Sequence, residues 1–199
     1  MAFCDIIISK NRKWDLFMKD SPRLMYRLLK EEDFDFYYFL NSHDKVMRYA
    51  YAEAFKTKEH AKKTFDKVLK GQAEGNCAEQ YIVVRKDTMD SIGIVDYEIR
   101  EQRAEGKVCE IGYFILPEHW SEGYAAEMGK SMVGYLFESD EVSEVTASCH
   151  AENKASEKTM IKIGMKKQAT NKNGRYKDGK WADEICYSIT KDEWSRTCR

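Results

Sequence analysis

Apolar positions change period several times along the chain, and each change marks an element. Residues 22–29 read as a first strand. Residues 31–41 set Phe34, Phe36, Tyr37, Tyr38 and Leu40 on a crowded apolar stripe, and the acids ahead of it suit the positive end of a helix. Thr57 is placed to cap a second helix, which runs to Leu69 and Lys70 and is ended by Gly71. Three strand-like runs follow, 80–86, 91–100 and 107–116. Asp87-Thr88-Met89-Asp90 and Arg103-Ala104-Glu105-Gly106 separate them, which predicts an antiparallel meander. Alternation is plainest at Ile92, Ile94, Tyr97 and Ile99, with a slip near Asp96.

The period then returns to that of a helix. Residues 124–138 put Ala125, Met128, Met132, Tyr135 and Leu136 on one face. A strand over 144–150 is followed by a helix over 153–163 that Gly164 stops. Two closing strands, 165–168 and 183–189, flank a hairpin region with Asn173-Gly174 and Asp178-Gly179. Residues 1–20 show no clean period and read as an N-terminal extension, helical around 14–18, ahead of a single domain over 21–199. The order is strand, two helices, three strands, helix, strand, helix, two strands. One mixed α/β sheet with helices on both faces satisfies it.

Composition narrows the function. A chain of 199 residues at 43% hydrophobic can bury a real core, and a formal net charge of −1 argues against nucleic acid as the main partner. The short apolar run at the N-terminus gives way to Ser9-Lys10-Asn11-Arg12-Lys13, so neither a signal peptide nor a membrane span is expected, and the predicted location is cytoplasmic. Six cysteines, at 4, 77, 109, 149, 186 and 198, form no close pair. No metal site is expected from that spacing, and Cys109, Cys149 and Cys186 read as small core residues.

Three stretches could carry chemistry. Residues 110–127, EIGYFILPEHWSEGYAAE, pass from strand to helix through a small-residue loop. Gly123 lets a ligand approach the backbone, and the free amides of a helix start suit a phosphate; a plain strand-to-helix turn is the other reading. Gly123 to Ser131 mimics a nucleotide-binding P-loop, but five residues intervene where four are required, and Ala125-Ala126-Glu127-Met128 favour helix, so that reading is rejected. Cys149 to Ser156 spans a strand end and a helix start; Asn153 and Ser156 there suit either capping or a bound substrate. Between Lys154 and Lys180 lie nine Lys or Arg and two acids, which reads as a solvated helix face or an attraction for an anionic cofactor.

Taken in order, Pro22-Arg23-Leu24-Met25-Tyr26-Arg27-Leu28-Leu29-Lys30-Glu31-Glu32-Asp33, Val46-Met47-Arg48-Tyr49, Ser91-Ile92-Gly93-Ile94, Glu110-Ile111-Gly112-Tyr113 running into Pro117-Glu118 and Gly123-Tyr124-Ala125, Asn153-Lys154-Ala155-Ser156, Ile163-Gly164-Met165 and Asp178-Gly179-Lys180-Trp181-Ala182-Asp183 carry a resemblance. The chain resembles the GNAT superfamily of acyl-CoA-dependent N-acetyltransferases, and within it the RimJ/RimL branch, over about residues 21–190. The resemblance implies a largely antiparallel seven-stranded sheet splayed between strands 4 and 5. Acetyl-CoA is then the donor, with its pantetheine arm on main-chain groups of Tyr113, Phe114 and Ile115. Its pyrophosphate lies on the amides of Ser121, Glu122, Gly123, Tyr124, Ala125 and Ala126. Asn153 would bond the pantetheine arm, and Ser156 would assist the departing thiolate.

Three positions depart from the family pattern. Trp120 opens the loop where Gln or Arg is usual, Glu122 sets an acid beside the pyrophosphate, and Met160 stands where many relatives carry a general-acid Tyr. An amine attacks a thioester only when neutral, so the site needs a base. Glu110 is the candidate and His150 the alternative, each with a structural reading as a strand-edge residue. The expected activity is acetyl transfer to a primary amine, a protein N-terminus or a small amine, by direct attack in a ternary complex. Glu31, Glu32, Asp33 and Asp35 with Tyr37 and Tyr38 could line a cationic acceptor's site or form a capped amphipathic helix. The alternative is an acyl-CoA-binding module without turnover. A monomer or homodimer is expected, with no nucleic-acid or membrane partner.

Overall fold

The computed structural model describes residues 18–75, 78–139 and 141–197. Seven strands form one sheet in the order β1-β2-β3-β4-β5-β7-β6. They are β1 (Leu24–Leu28), β2 (Ala78–Arg85), β3 (Ser91–Arg103), β4 (Gly106–Ile115), β5 (Val142–His150), β6 (Lys166–Lys177) and β7 (Lys180–Thr190). Neighbours run antiparallel except β4 and β5, which are parallel and joined through a helical crossover. Among the described residues six α-helices accompany them: α1 (Phe34–Ser42), α2 (Asp44–Met47), α3 (Lys58–Ala73), α4 (Tyr124–Glu138), α5 (Lys154–Ile163) and α6 (Lys191–Thr197). The expected mixed sheet with helices on both faces is the fold observed. The helix expected around 14–18 lies outside the described residues apart from Met18, which is buried in the core.

Two apolar clusters sandwich the sheet. Met128, Met132, Val133, Leu136 and Phe137 of α4 and Met160 and Ile163 of α5 pack on Val95, Cys109, Ile111, Val145 and Cys149. On the opposite face Tyr37 and Leu40 of α1 and Phe65 of α3 pack on Ile82, Val84 and Ile94. Burying a side chain of this size contributes about 1.5–3 kcal/mol, so these helix stripes dominate the assembly. Helices α1 and α3 cover β1 to β4 only. Past β4 that second face carries Ser148 and His150 of β5, Glu184 and Cys186 of β7 and Arg175 of β6 in place of an apolar layer.

Several boundaries move from their expected places. Thr57 caps α3 by accepting from the His60 amide, but Gly71 lies inside the helix, which continues to Ala73. The change of parity in β3 falls at Ile92, where a bulge opposes Val83 and Val84, and not at Asp96. That bulge sends Ile92 to the α4 side and Ile94 to the α1 side. Strands β6 and β7 are far longer than the runs 165–168 and 183–189. They turn at Asp178 and Gly179, both in left-handed backbone, while Asn173-Gly174 belongs to a bulge inside β6.

Candidate active site

Pairing between β4 and β5 stops at Glu110 opposite Thr146. Beyond it β4 stays on β3 to Ile115, and β5 stays on β7 to His150 opposite Glu184. The two parallel strands therefore part, and the stretch 111–115 presents main chain to the opening. On its other side β4 is pressed against β3: a Cβ at Gly93 would lie 2.2 Å from the Phe114 carbonyl oxygen. Across the opening the Tyr113 hydroxyl meets Ser156 Oγ at 3.0 Å, on the first turn of α5. Burial pushes the Tyr113 phenol up, with the Ser156 bond opposing it, so the hydroxyl keeps its proton.

The loop after β4 ends in a helix start with uncovered amides. A 3-10 turn over Pro117–His119 is fixed by Trp120, whose Nε1–H donates to the Ile115 carbonyl at 2.7 Å. Ser121 (φ 65°) and Gly123 (φ 87°) then adopt left-handed backbone, the conformation from which anion-cradling turns are built. The first bond of α4 runs from the Glu127 amide to the Gly123 carbonyl at 3.1 Å, so the preceding amides have no carbonyl one turn back. Glu122 is exposed, and its carbonyl accepts from Arg23 Nη1 at 3.1 Å. Arg23 also lies over the Tyr124 ring at 4.3 Å.

Glu127 pins this loop to β1. Its carboxylate accepts from Ser21 Oγ at 2.7 Å, the Arg23 amide at 2.9 Å and Arg23 Nε at 2.7 Å. Burial works to raise its pKa, but these three bonds and the Arg23 charge together hold it below the usual glutamate range.

Helix α5 brings the next group. Asn153 caps it, its Oδ1 accepting the Ser156 amide at 3.1 Å, and Gly164 ends it in left-handed backbone. Both readings of Asn153 and Ser156 survive, because the cap uses the Asn153 oxygen and the Ser156 amide while Ser156 Oγ faces Tyr113. Met160 is fully buried in the core beneath them. Thus Tyr113, Asn153 and Ser156 gather on the α4 side of the sheet.

Glu110 and His150 stand on the other side. Glu110 Oε2 accepts from Arg100 Nε at 2.7 Å and its Oε1 from Ser148 Oγ at 2.9 Å. Ser148 in turn accepts from Arg175 Nη2 at 3.2 Å. His150 packs on Tyr49 at 5.1 Å, and its Nδ1 accepts the Glu152 amide at 3.1 Å. It lines a cavity of about 350 Å³ with Arg48, Tyr49, Tyr51 and Arg175.

The basic stretch divides in two. Within the basic stretch Lys154, Lys158 and Lys162 are exposed as a solvated face, but Arg175 is buried and bonds Glu184, Ser148 and the Tyr49 carbonyl. Lys177 holds the carbonyls of Met47, Ala50 and Ala52. Two of the acids near α1 are engaged locally: Asp33 forms a two-bond pair with Arg27 at 2.6 Å, and Asp35 pairs with Lys58. Tyr37 is buried in the core, and the Asp33 carboxylate also accepts the Lys30 amide at 2.9 Å.

The parted parallel strands and the helix-start loop agree with the family comparison. The profile of the acetyltransferase (GNAT) domain matches residues 23–166. The chain belongs to the GNAT acetyltransferases. It is an acetyl-CoA-dependent acyltransferase. The N-acetyltransferase YnaD of Bacillus subtilis, itself uncharacterized, is 31% identical over 176 residues, covering 88% of this chain and 98% of its own. A spermidine N-acetyltransferase from Vibrio cholerae, solved with CoA and spermine, superposes with a TM-score of 0.76 at 18% identity, covering 88% of this chain and 99% of that one. RimL, the ribosomal L7/L12 α-N-protein acetyltransferase, solved with CoA, gives 0.75 at 16% identity over 87% of this chain and 97% of its own. These GNAT structures share the fold. Among the described residues no helix is long and apolar enough to cross a membrane.

Proposed function

We propose that this chain transfers the acetyl group of acetyl-CoA to a primary amine by direct attack within a ternary complex. The observation that supports this most is the end of β4–β5 pairing at Glu110 and Thr146, beside a loop whose amides precede the first bond of α4. The pantetheine arm lies along the main chain of Tyr113, Phe114 and Ile115, with Asn153 as a side-chain partner. The pyrophosphate lies on the amides of residues 121–126, where the helix dipole and Arg23 favour a dianion. Main-chain N–H groups of the parted strand polarise the thioester carbonyl, and Ser156, backed by the Tyr113 hydroxyl, donates a hydrogen bond to the departing sulfur.

The amine arrives on the face of Glu110 and His150, the side away from α4. The acceptor is a protein N-terminus or a small amine such as a polyamine, the two kinds named for the RimL and spermidine enzymes. Mass spectrometry of an amine and peptide library incubated with acetyl-CoA tests the reading. One acetyl group gained by one class of amine is the expected result. Coenzyme binding with no acetylated product would reduce the chain to a binding module and overturn the proposal.

A further inference from the structure

The amine-side face contains a second carboxylate, Asp96, near Glu110. Rows of side chains cross the sheet there. Ile82, Ile94 and Phe114 form one row, packed under α1 and α3. In the next, Gln80 faces Asp96 and Asp96 faces Gly112, and in the row after that Glu98 faces Glu110. Asp96 therefore sits where the helix-covered part of the sheet meets the open part, one residue from Tyr113 across the strand pair.

Charge separates the three acids. Arg100 pairs with Glu98 at 3.0 Å and with Glu110 at 2.7 Å, and Ser148 occupies the second Glu110 oxygen. Both oxygens of Glu110 are therefore already engaged within the protein. Asp96 has no cation within ion-pair distance among the described residues. Its carboxylate lies over Gly112, where a Cβ would stand 2.4 Å from Oδ1, so the missing side chain at 112 makes its place. Beside it Gln80 Oε1 is buried with no hydrogen-bond partner among the described residues. The Gly112 amide reaches the Asp96 carboxylate, but its remaining lone pairs and the orphaned oxygen of its cross-strand neighbour Gln80 suit the N–H donors of an ammonium.

We propose that Asp96 takes the proton from the acceptor's ammonium, Gln80 orients that nitrogen, and Glu110 is a positioning residue. The assignment rests on the acetyltransferase reading above. The ammonium gives one proton to the Asp96 carboxylate, and the freed lone pair forms the C–N bond at the thioester carbon. The C–S bond then breaks with its electron pair on sulfur, a second proton leaves nitrogen for the thiolate, and Asp96 returns its proton to water. The sum is an amide, a free thiol and one proton.

The groups facing Asp96 set its titration. Burial pushes the carboxyl up to about 6, the Gly112 amide opposes this, the charges of Glu98 and Glu110 add to it, and Arg100 subtracts. Tyr37 of α1 faces it as well, its phenol pushed up to about 12 by burial and then by the Asp96 charge. A base must be unprotonated, so activity rises with pH through that value.

The test uses the best acceptor of the amine library. The expected wild-type kcat/KM climbs through pH 6 and levels. In Asp96→Asn the limb moves up to the acceptor's own pKa, about 8 for an α-amine or about 10 for an alkylamine, and the rates converge above it, so at pH 6.5 kcat/KM falls about 25-fold for the α-amine and about 2,500-fold for the alkylamine. In Glu110→Gln the limb near 6 persists. Carbon NMR of the full chain titrates Asp96 independently of turnover, with a midpoint near 6 expected. An active wild type whose Asp96→Asn variant keeps the limb, or an Asp96 carboxyl titrating near 4, overturns the assignment alone. A wild type inactive toward every amine overturns the function and this assignment together.

Discussion

Replacing Arg175 by Met tests whether the buried charges of the amine-side face are structural. The Arg175 and Glu184 side chains are 7% and 10% exposed and meet at 3.1 Å. The guanidinium also holds the Tyr49 carbonyl at 3.0 Å, Ser148 Oγ at 3.2 Å and the Tyr51 ring at 3.6 Å. Methionine keeps the stem's packing but leaves Glu184 as an unpaired buried charge, which costs about 3–5 kcal/mol. For a chain of this size that lowers Tm by about 6–20 °C at pH 8. The sign of the pH dependence follows from Glu184, which burial already pushes above the ordinary glutamate value. A raised acid favours the folded state at low pH and loses that advantage as pH rises through its folded pKa, so the defect shrinks at pH 5. Adding Glu184→Gln recovers at least half of the loss. Thermal melts by circular dichroism at both pH values read all three effects. A loss under 3 °C, or one equal at pH 5 and pH 8, would show that Glu184 is not left as a buried unpaired charge.

Other substitutions probe the remaining parts. Glu127→Gln removes charge-assisted bonds to Ser21 and Arg23 and lowers stability by about 1.5–3 kcal/mol in urea titrations at pH 7. Because the Glu127 pKa is depressed from 4.5, that difference is present above 4.5 and fades as pH falls through the lower, folded value. Gly93→Ala forces a methyl to within 2.2 Å of the Phe114 carbonyl and costs about 3 kcal/mol or more, read as a lowered urea midpoint. Ser156→Ala lowers kcat about 100-fold in a CoA-release assay while coenzyme affinity holds, because the hydroxyl acts on sulfur as it leaves.

Where periodicity and caps agree, the elements were legible. Helix α4 spans the expected residues 124–138, Thr57 caps α3, and Asn153 and Gly164 bracket α5. Strand β6 was mostly invisible because nearly all its side chains are exposed on a sheet edge, so no apolar alternation marks it and pairing with β7 alone defines it. Helices α2 and α6 are too short to show a period. Gly71 illustrates the opposite failure: a residue that commonly ends helices is carried inside α3. For the site, the loop and the opening beside Tyr113 came from motifs in sequence order. The roles of Asp96, Gln80, Ser148 and Arg175 depend on which strands lie side by side. The broken alternation near Asp96 was the one local signal of the bulge, and it fell four residues from Ile92.

On the proposed reading, residues 121–126 hold a diphosphate through their amides. Isothermal titration of the full chain with coenzyme A and with pantetheine, which lacks the diphosphate, tests it most directly. Two charge-assisted hydrogen bonds of about 1.5 kcal/mol each predict coenzyme A binding at least 100-fold tighter. Equal affinities would contradict it.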